Sequence, residues 1–439
     1  MRMEKTIVAL ATPAGNSGVA VIRVSGERAK EILQKIIRED LDFEPRKMYL
    51  KKVYFSGLED ISLVVFFHHP HSYTGEDVIE IQSHGGYFVA EKIIDELISL
   101  GCTLATPGEF SKRAFINGKL SLDQAEGIMD LINAESEMQA KNGSALMQGE
   151  LKKTILDYQN RLTDILAEIE AKLDYPEYEY TENETSDILY KLKDIETNLS
   201  SLIADSKTGI KIKNGVRVAL IGAPNVGKSS LLNALTKSNK AIVTSIAGTT
   251  RDVIEGEYEY NGIIFRLYDT AGIHESEDEV EKIGIERAKQ ILKEADIVLK
   301  ISDDSNMCNI STDQTYINVF NKSDIIDQEK MKNQIQDDSI FVSAKKNENI
   351  DSLKQLIFDK TISTKINSNK LYLTNTRHIT SVKQAKKYIN NAISEFNFTS
   401  MDIISSEIKS AWISLGEVTG DTNNETIIDK IFSKFCLGK

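Results

Sequence analysis

The residues best suited to chemistry lie in the middle of the chain. Gly222-Ala-Pro-Asn-Val-Gly227-Lys228-Ser229 follows the apolar run Val216 to Ile221 and precedes the helix-like Ser230 to Leu235. Glycines at this spacing let backbone N–H groups turn inward around phosphate oxygens, and the helix N-terminus behind them adds positive potential. Asn225, Val226, Gly227 and Ser230 would line such phosphates, Lys228 reaches the β and γ oxygens, and the Ser229 hydroxyl can ligate Mg²⁺. Taken alone the pattern competes about evenly with a plain glycine turn opening a helix.

Three further motifs decide against the plain turn. Asp269-Thr-Ala-Gly272 follows a strand-like run ending at Tyr268. Its carboxylate can hold Mg²⁺ directly or through water, and the Gly272 amide can sense a γ-phosphate. Asn321-Lys322-Ser323-Asp324 follows another such run. Asp324 can accept hydrogen bonds from guanine N1–H and the exocyclic amine, a pair of donors adenine cannot present together. Ser343, Ala344 and Lys345, after the last apolar run, complete a base pocket. Four motifs at strand ends, in the order of Ras-like GTPases, specify GTP. Because every phosphate and base motif is intact, a scaffold with a degenerate site is the weaker reading.

Ras-type enzymes orient the attacking water with a glutamine just after the aspartate motif, but Ile273 stands there and offers no hydrogen bond. Catalysis must be arranged otherwise. Asn225, with backbone carbonyls from the stretch Thr244 to Asp252, can hold a monovalent cation where an arginine finger would sit.

These residues need elements to position them. From about Gly215 to Lys360, strand-like runs (Val216 to Ile221, Ile263 to Tyr268, Ile297 to Ile301, Tyr316 to Phe320, Ile340 to Val342) alternate with helical ones, predicting a parallel sheet covered by helices. Thr6 to about Ala114 reads as mixed α and β, with a helix near Val89 to Leu100. From Ser121 a helical apolar face is predicted through Ile128, Leu131, Ile132, Leu151 and onward to Leu173, ended by Pro176 and the acidic stretch to Glu184. A second face (Ile188, Leu192, Ile195, Leu199, Leu202) is predicted to stop near Gly209 as a helix C-cap. Helical spacing returns in Val382, Ala385, Ile389 and Ile393, then across Met401 to Leu415 and Thr426 to Phe435. Helices on both sides of an α/β segment imply an insertion, with the two halves completing one bundle.

A length of 439 residues predicts two or three domains. No run of about twenty apolar residues and no signal-peptide core is present, which predicts a cytoplasmic protein with no membrane segment. Cys102, Cys308 and Cys436 are widely separated and odd in number, so reduced thiols are expected. His68, His69 and His71 invite a metal, yet no cysteine or second histidine pair completes a site, and they read as solvated or packing side chains. A net charge of -13 argues against a broad nonspecific RNA surface and leaves a local basic patch or a partner to supply RNA contact.

The chain resembles the MnmE (TrmE) family of tRNA-modifying GTPases over essentially its whole length. Besides the nucleotide motifs, the resemblance rests on Thr6 to Thr12, Val21-Ile-Arg-Val-Ser-Gly26 and Ser72-Tyr-Thr-Gly-Glu-Asp-Val-Ile-Glu80 running on to His84-Gly-Gly86. It continues in Pro107-Gly-Glu-Phe-Ser-Lys-Arg-Ala-Phe115, Asn117-Gly-Lys-Leu120 and the terminal Phe435-Cys-Leu-Gly-Lys439. It implies an N-terminal α+β domain that binds 5-formyl- or methylene-tetrahydrofolate and forms a homodimer, a discontinuous helical bundle, and an inserted Ras-like P-loop G domain with a doubly wound sheet. The corresponding boundaries are 1–119, 120–213, 214–365 and 366–439. It also implies an FAD-dependent partner, MnmG (GidA), forming a heterotetramer that modifies C5 of the wobble uridine of certain tRNAs.

By the same resemblance, Arg23, Glu80, Lys119 and Lys439 contact the folate, with Cys436 nearby. Asn225, Thr244, Ile246 and Thr249 ligate K⁺, and Ser229 and Thr250 ligate Mg²⁺. Thr244, Thr249 and Thr250 belong to the GTP site, and Glu281 positions the hydrolytic water beside Lys228 as the catalytic pair. Read without the family, Glu281 is one acid on a charged helix face and Arg23 with Glu80 a structural ion pair. Two departures stand out: Asn16-Ser17 replaces a basic and a glycine residue, and Ser302 to Gln314 is short for a helix. The alternative is an Era-like ribosome-assembly switch, which would carry an RNA-binding module after the G domain; none is evident.

Overall fold

A computed structural model describes residues 5–173, 181–237, 254–269, 289–303, 308, 312–325, 338–362, 366–367, 370–422, 425–436 and 438. The chain divides into two compact units, one of Met1–Met129, Ala145–Leu192 and Lys387–Lys439, the other of Asp130–Ser144 and Lys193–Lys386.

The first unit contains a six-stranded sheet in the order β3-β4-β5-β2-β1-β6. Its strands are β1 (Ile7–Leu10), β2 (Val19–Ser25), β3 (Met48–Phe55), β4 (Leu58–Phe67), β5 (Val78–His84) and β6 (Thr103–Leu104). Pairing is antiparallel except between β1 and β6. Alternation sorts the side chains: Ile22, Val24, Val64, Phe66, Ile79 and Ile81 are buried in one core with helices α1 (Ala29–Ile37) and α2 (Tyr87–Ser99). Arg23 and Glu80, directly opposed in the β2–β5 ladder, therefore share the other face. Helix α3 (Glu109–Ile116) follows.

The apolar positions from Ile128 to Leu173 lie on separate helices rather than one continuous face. These are α4 (Leu122–Ile132), α5 (Glu137–Met147) and α6 (Glu150–Leu173), with Gly149 breaking the chain between the last two at φ +82°. Only α6 carries the expected long stripe, with Leu151, Ile155, Leu162, Ile165 and Ile169 fully buried. Each such aliphatic side chain contributes about 1.5–3 kcal/mol by leaving water. Helix α7 (Glu182–Asn214) does not stop at Gly209. Gly209 is buried inside the helix because a Cβ there would lie 2.3 Å from the Leu373 carbonyl oxygen, and Gly215, at φ +76°, is where the chain leaves.

The second sheet, in the second unit, has the order β12-β11-β10-β7-β9-β8. It comprises β7 (Val216–Ile221), β8 (Gly256–Tyr260), β9 (Ile263–Asp269), β10 (Ile297–Ser302), β11 (Tyr316–Phe320) and β12 (Ser339–Phe341), with helices α8 (Lys228–Thr236) and α9 (Ile350–Thr361). All pairs are parallel except β8–β9. The edge strand β8 is an addition to the sequence reading. Its hairpin turns on Asn261 and Gly262, both at positive φ, the pattern of a two-residue turn. Residues of β7, β9, β10 and β11 that alternate inward, with α8 and α9, form a continuous apolar core.

After α9 the described residues hold three helices: α10 (Thr376–Glu395), α11 (Met401–Thr419) and α12 (Glu425–Phe432). Within the first unit α11 packs along α6, burying Ile404, Ile408, Ala411 and Leu415, and the Gln159 side chain bonds the Trp412 carbonyl at 3.1 Å. The short segment after β10 lies largely outside the described residues. No helix among the described residues is long and apolar enough to cross a membrane.

Candidate nucleotide-binding site

The phosphate loop leaves β7 at Ile221 and enters α8 at Lys228, so it sits at the carboxyl end of a central strand, where open α/β sheets bind ligands. Asn225 at φ +65° and Gly227 at φ +94° turn the loop. Gly227 is required twice over, since a Cβ there would lie 2.3 Å from the Asn321 amide nitrogen. Lys228 folds back, its ammonium donating to the carbonyls of Gly222 (2.9 Å) and Ala223 (3.3 Å). Asn225, Ser229 and Ser230 are at least partly exposed, while Val226 anchors the loop in the core.

The base motif is tied directly to this loop. The Asn321 amide donates to the Val226 carbonyl at 3.0 Å, and its oxygen accepts from the Ala344 N–H at 3.1 Å. One buried side chain thus fixes the phosphate loop against the Ser343-Ala344-Lys345 turn. Ser343 donates its hydroxyl to Asp324 Oδ1 at 2.8 Å, which holds the Asp324 carboxyl below its ordinary range, with help from Lys346 and Lys345. Lys322, at φ +63°, pairs with the buried Asp303 at 2.7 Å. Asp303 escapes a reading of sequence alone; its signal is an acid one residue past a buried strand.

Strand β9 runs one residue beyond the expected Tyr268 and ends on Asp269 itself. Burial pushes the Asp269 carboxyl above the usual carboxylate range, against the pull of Lys228. Its Oδ1 is buried with no hydrogen-bond partner among the described residues. An orphaned carboxylate oxygen beside a phosphate loop suits Mg²⁺, a hard cation that takes oxygen ligands. Thr244, Ile246, Thr249, Thr250, Gly272, Ile273 and Glu281 lie outside the described residues.

A second cluster forms in the first unit. Arg23 donates through Nε to Glu80 Oε1 at 2.9 Å and through Nη1 to the Gly438 carbonyl at 3.3 Å. Its guanidinium carbon lies 5.4 Å from the Tyr73 ring centroid and 5.8 Å from that of Phe110. The chain terminus is drawn in because Gly438, at φ +91°, passes so close to β1 that a Cβ would meet the Leu10 carbonyl oxygen at 2.3 Å. Lys119 donates to the Pro70 carbonyl at 2.9 Å, on the loop that carries Tyr73. Cys436, two residues before Gly438, is exposed, while Cys102 is buried and its thiol is pushed up to about 12. Lys439 lies outside the described residues. The ion pair between Arg23 and Glu80 is real, and the aromatic rings and terminal backbone around it make more than a surface pair.

Sequence reading missed Arg113, whose buried guanidinium bonds Glu76 at 2.9 Å and Glu109 at 2.8 Å while Glu76 accepts from Ser25 at 2.7 Å. The available signal was an acid four residues before it, Glu109, at the spacing of neighbours on one helix face.

Residues 6–119 match the family model described as the GTP-binding protein TrmE N-terminus, and residues 122–436 match the MnmE helical domain. The chain belongs to the MnmE family of tRNA-modification GTPases. Relatives named tRNA modification GTPase MnmE include one from Natranaerobius thermophilus, 38% identical over 99% of this chain and 100% of its own. Another, from Caldicellulosiruptor saccharolyticus, is 37% identical over 99% of both chains. Among solved structures, the FeoB G-domain from Methanococcus jannaschii is 29% identical over 33% of this chain and 97% of its own, with a TM-score of 0.26. A point variant of Aquifex aeolicus Era bound to GDP·AlF₄⁻ is 28% identical over 39% of this chain and 66% of its own, with a TM-score of 0.27. As a member of the MnmE family the chain is a GTPase.

Proposed function

We propose that the chain hydrolyses GTP to drive a conformational change in a cytoplasmic complex that modifies C5 of the wobble uridine in certain tRNAs, installing a carboxymethylaminomethyl-type group. A bound tetrahydrofolate would supply the one-carbon unit, and the FAD of an MnmG partner the redox chemistry. The observation that supports the nucleotide part of this reading is the Asn321 cross-tie, which joins the loop proposed to bind phosphate to the turn proposed to bind guanine.

At the G site, Asp324 reads guanine, Lys228 leaves the Gly222 and Ala223 carbonyls for the β and γ oxygens, and Ser229, Thr250 and Asp269 hold Mg²⁺. A K⁺ held there would supply positive charge near the phosphate oxygens. Asn225, exposed on the loop at positive φ, supports this assignment with Thr244, Ile246 and Thr249, and Glu281 orients the attacking water. For the folate, Glu80 can accept from pterin N–H groups while Arg23, Lys119 and Lys439 meet its carboxylates, beside the Tyr73 and Phe110 rings. The four segments 1–119, 120–213, 214–365 and 366–439 are the proposed domains. A homodimer through the N-terminal sheet is supported by Met48, Leu50, Ile61 and Leu63, apolar yet exposed on β3 and β4 at the sheet edge. A monomer in sedimentation equilibrium would remove that part.

The test is GTP hydrolysis in K⁺ and Na⁺ at matched ionic strength. The rate rises about tenfold or more in K⁺, Asn225→Ala loses that response while still binding GTP, and Glu281→Ala slows cleavage. Equal rates in the two salts contradict the cation assignment, and a normal Glu281→Ala rate removes that residue.

A further inference from the structure

The antiparallel β4–β5 ladder ends with Phe67 opposite Val78. The next residues outward on the two strands are His68 and Asp77, and they meet. His68 Nδ1 lies 2.9 Å from Asp77 Oδ1, and His69 Nδ1 lies 3.2 Å from the same oxygen. The two imidazole rings are 4.3 Å apart, centroid to centroid, at 65°. One atom from each of the three residues falls within 4.8 Å of the others, the only such group of His, Cys, Asp and Glu among the described residues.

We infer that His68, His69 and Asp77 form a binding site for a divalent cation of the Zn²⁺ class, separate from the nucleotide site. Three observations carry this. The donor set is two imidazoles and one carboxylate, which suits Zn²⁺ and its neighbours and not Mg²⁺ or Ca²⁺, whose ligands are oxygens. The spacing is compatible: a tetrahedral ion with bonds of about 2.0–2.1 Å holds its ligand atoms about 3.4 Å apart, against 2.9 and 3.2 Å from Asp77 Oδ1 to the two Nδ1 atoms and no more than 4.8 Å within the group. The site is also held in advance, because sheet register fixes His68 against Asp77, and the His69 backbone N–H donates to Asp77 Oδ1 at 2.8 Å. The side chains of His68 and His69 are half or more exposed, so each ring can carry its proton on the outward Nε2 and present Nδ1 to the ion, leaving a coordination position for water.

The ion would close residues 69–76 at their base. That loop carries Glu76, which holds the buried Arg113, and Pro70, whose carbonyl holds Lys119. Bound metal therefore stiffens the loop beside Arg23 and Tyr73, and binding to the folded state alone raises thermal stability.

The experiment uses the full-length, chelator-treated, nucleotide-free protein, titrated with Zn²⁺ by calorimetry, with Co²⁺ as an optical probe and Mg²⁺ as control. Expected are one Zn²⁺ per chain, a visible Co²⁺ spectrum of low coordination number, a melting temperature raised by Zn²⁺, and no response to Mg²⁺. His68→Gln and Asp77→Asn should each weaken binding about tenfold or more and abolish the Zn²⁺-dependent shift in melting temperature. His68 is exposed, so its variant keeps the fold if the Asp77 variant does not. Absence of saturable Zn²⁺ binding, or binding of unchanged affinity and stoichiometry in His68→Gln, overturns the site.

Discussion

Asp324 illustrates how one side chain carries substrate choice. Ser343 donates to its carboxylate and holds it below its ordinary range, favouring the ionised form that accepts guanine's two donors. Replacing it with asparagine turns an acceptor pair into one acceptor and one donor, which matches xanthine, where a carbonyl replaces the amine. Asp324→Asn should therefore lose GTP affinity and gain affinity for xanthosine triphosphate, as read by nucleotide titration; retained GTP affinity with no gain for xanthine contradicts the assignment. Arg23 makes the corresponding prediction for the N-terminal cluster. Losing a charged hydrogen bond costs about 1.5–3 kcal/mol, so Arg23→Ala should weaken 5-formyltetrahydrofolate binding roughly tenfold or more in calorimetry and leave GTP binding unchanged. Full folate affinity in that variant removes Arg23 from the site. The strand-end placing of the phosphate loop and of Asn321 and Ser343 was legible because those motifs are local in sequence. Asp303 and the meeting of His68 with Asp77 were not, because each depends on which strand lies beside which, and Arg113 was not, because its pairing with Glu76 depends on which loop the helix packs against.

Elements were legible where the hydrophobic period was long and failed where geometry overrode it. The stripe of α6 was readable; the interruption at Gly149 was not, since a single glycine between two helical patterns looks like a tolerated one. Strand β8 escaped because Gly256-Glu-Tyr-Glu-Tyr260 has a half-polar pattern, although Asn261-Gly262 signals a hairpin. Gly209 shows two effects of opposite sign. Within a helix, Gly→Ala ordinarily gains about 0.8–1.0 kcal/mol in propensity. Here a Cβ would fall 2.3 Å from the Leu373 carbonyl oxygen, and overpacking costs about 1–3 kcal/mol. The clash wins, so Gly209→Ala should lower unfolding stability in urea, whereas a stabilised variant would show that the approach of residue 373 relaxes freely.

At the scale of the whole molecule, the order of elements places a complete G-domain sheet between helices α7 and α10. An Era-like switch would instead follow its G domain with an RNA-binding module, whereas both family models matched by this chain are those of tRNA-modification GTPases. A net charge of -13 argues against a broad nonspecific RNA surface on this chain, in keeping with the proposed complex, in which a partner would hold much of the RNA. If the proposal holds, the chain's absence is visible in the RNA. The most direct measurement is mass analysis of tRNA nucleosides from cells lacking this protein, complemented with the natural chain or with Lys228→Ala. The account predicts loss of the carboxymethylaminomethyl-type wobble uridines, their return with the natural chain, and no return with Lys228→Ala. Unchanged wobble uridines in the cells lacking it would contradict the account.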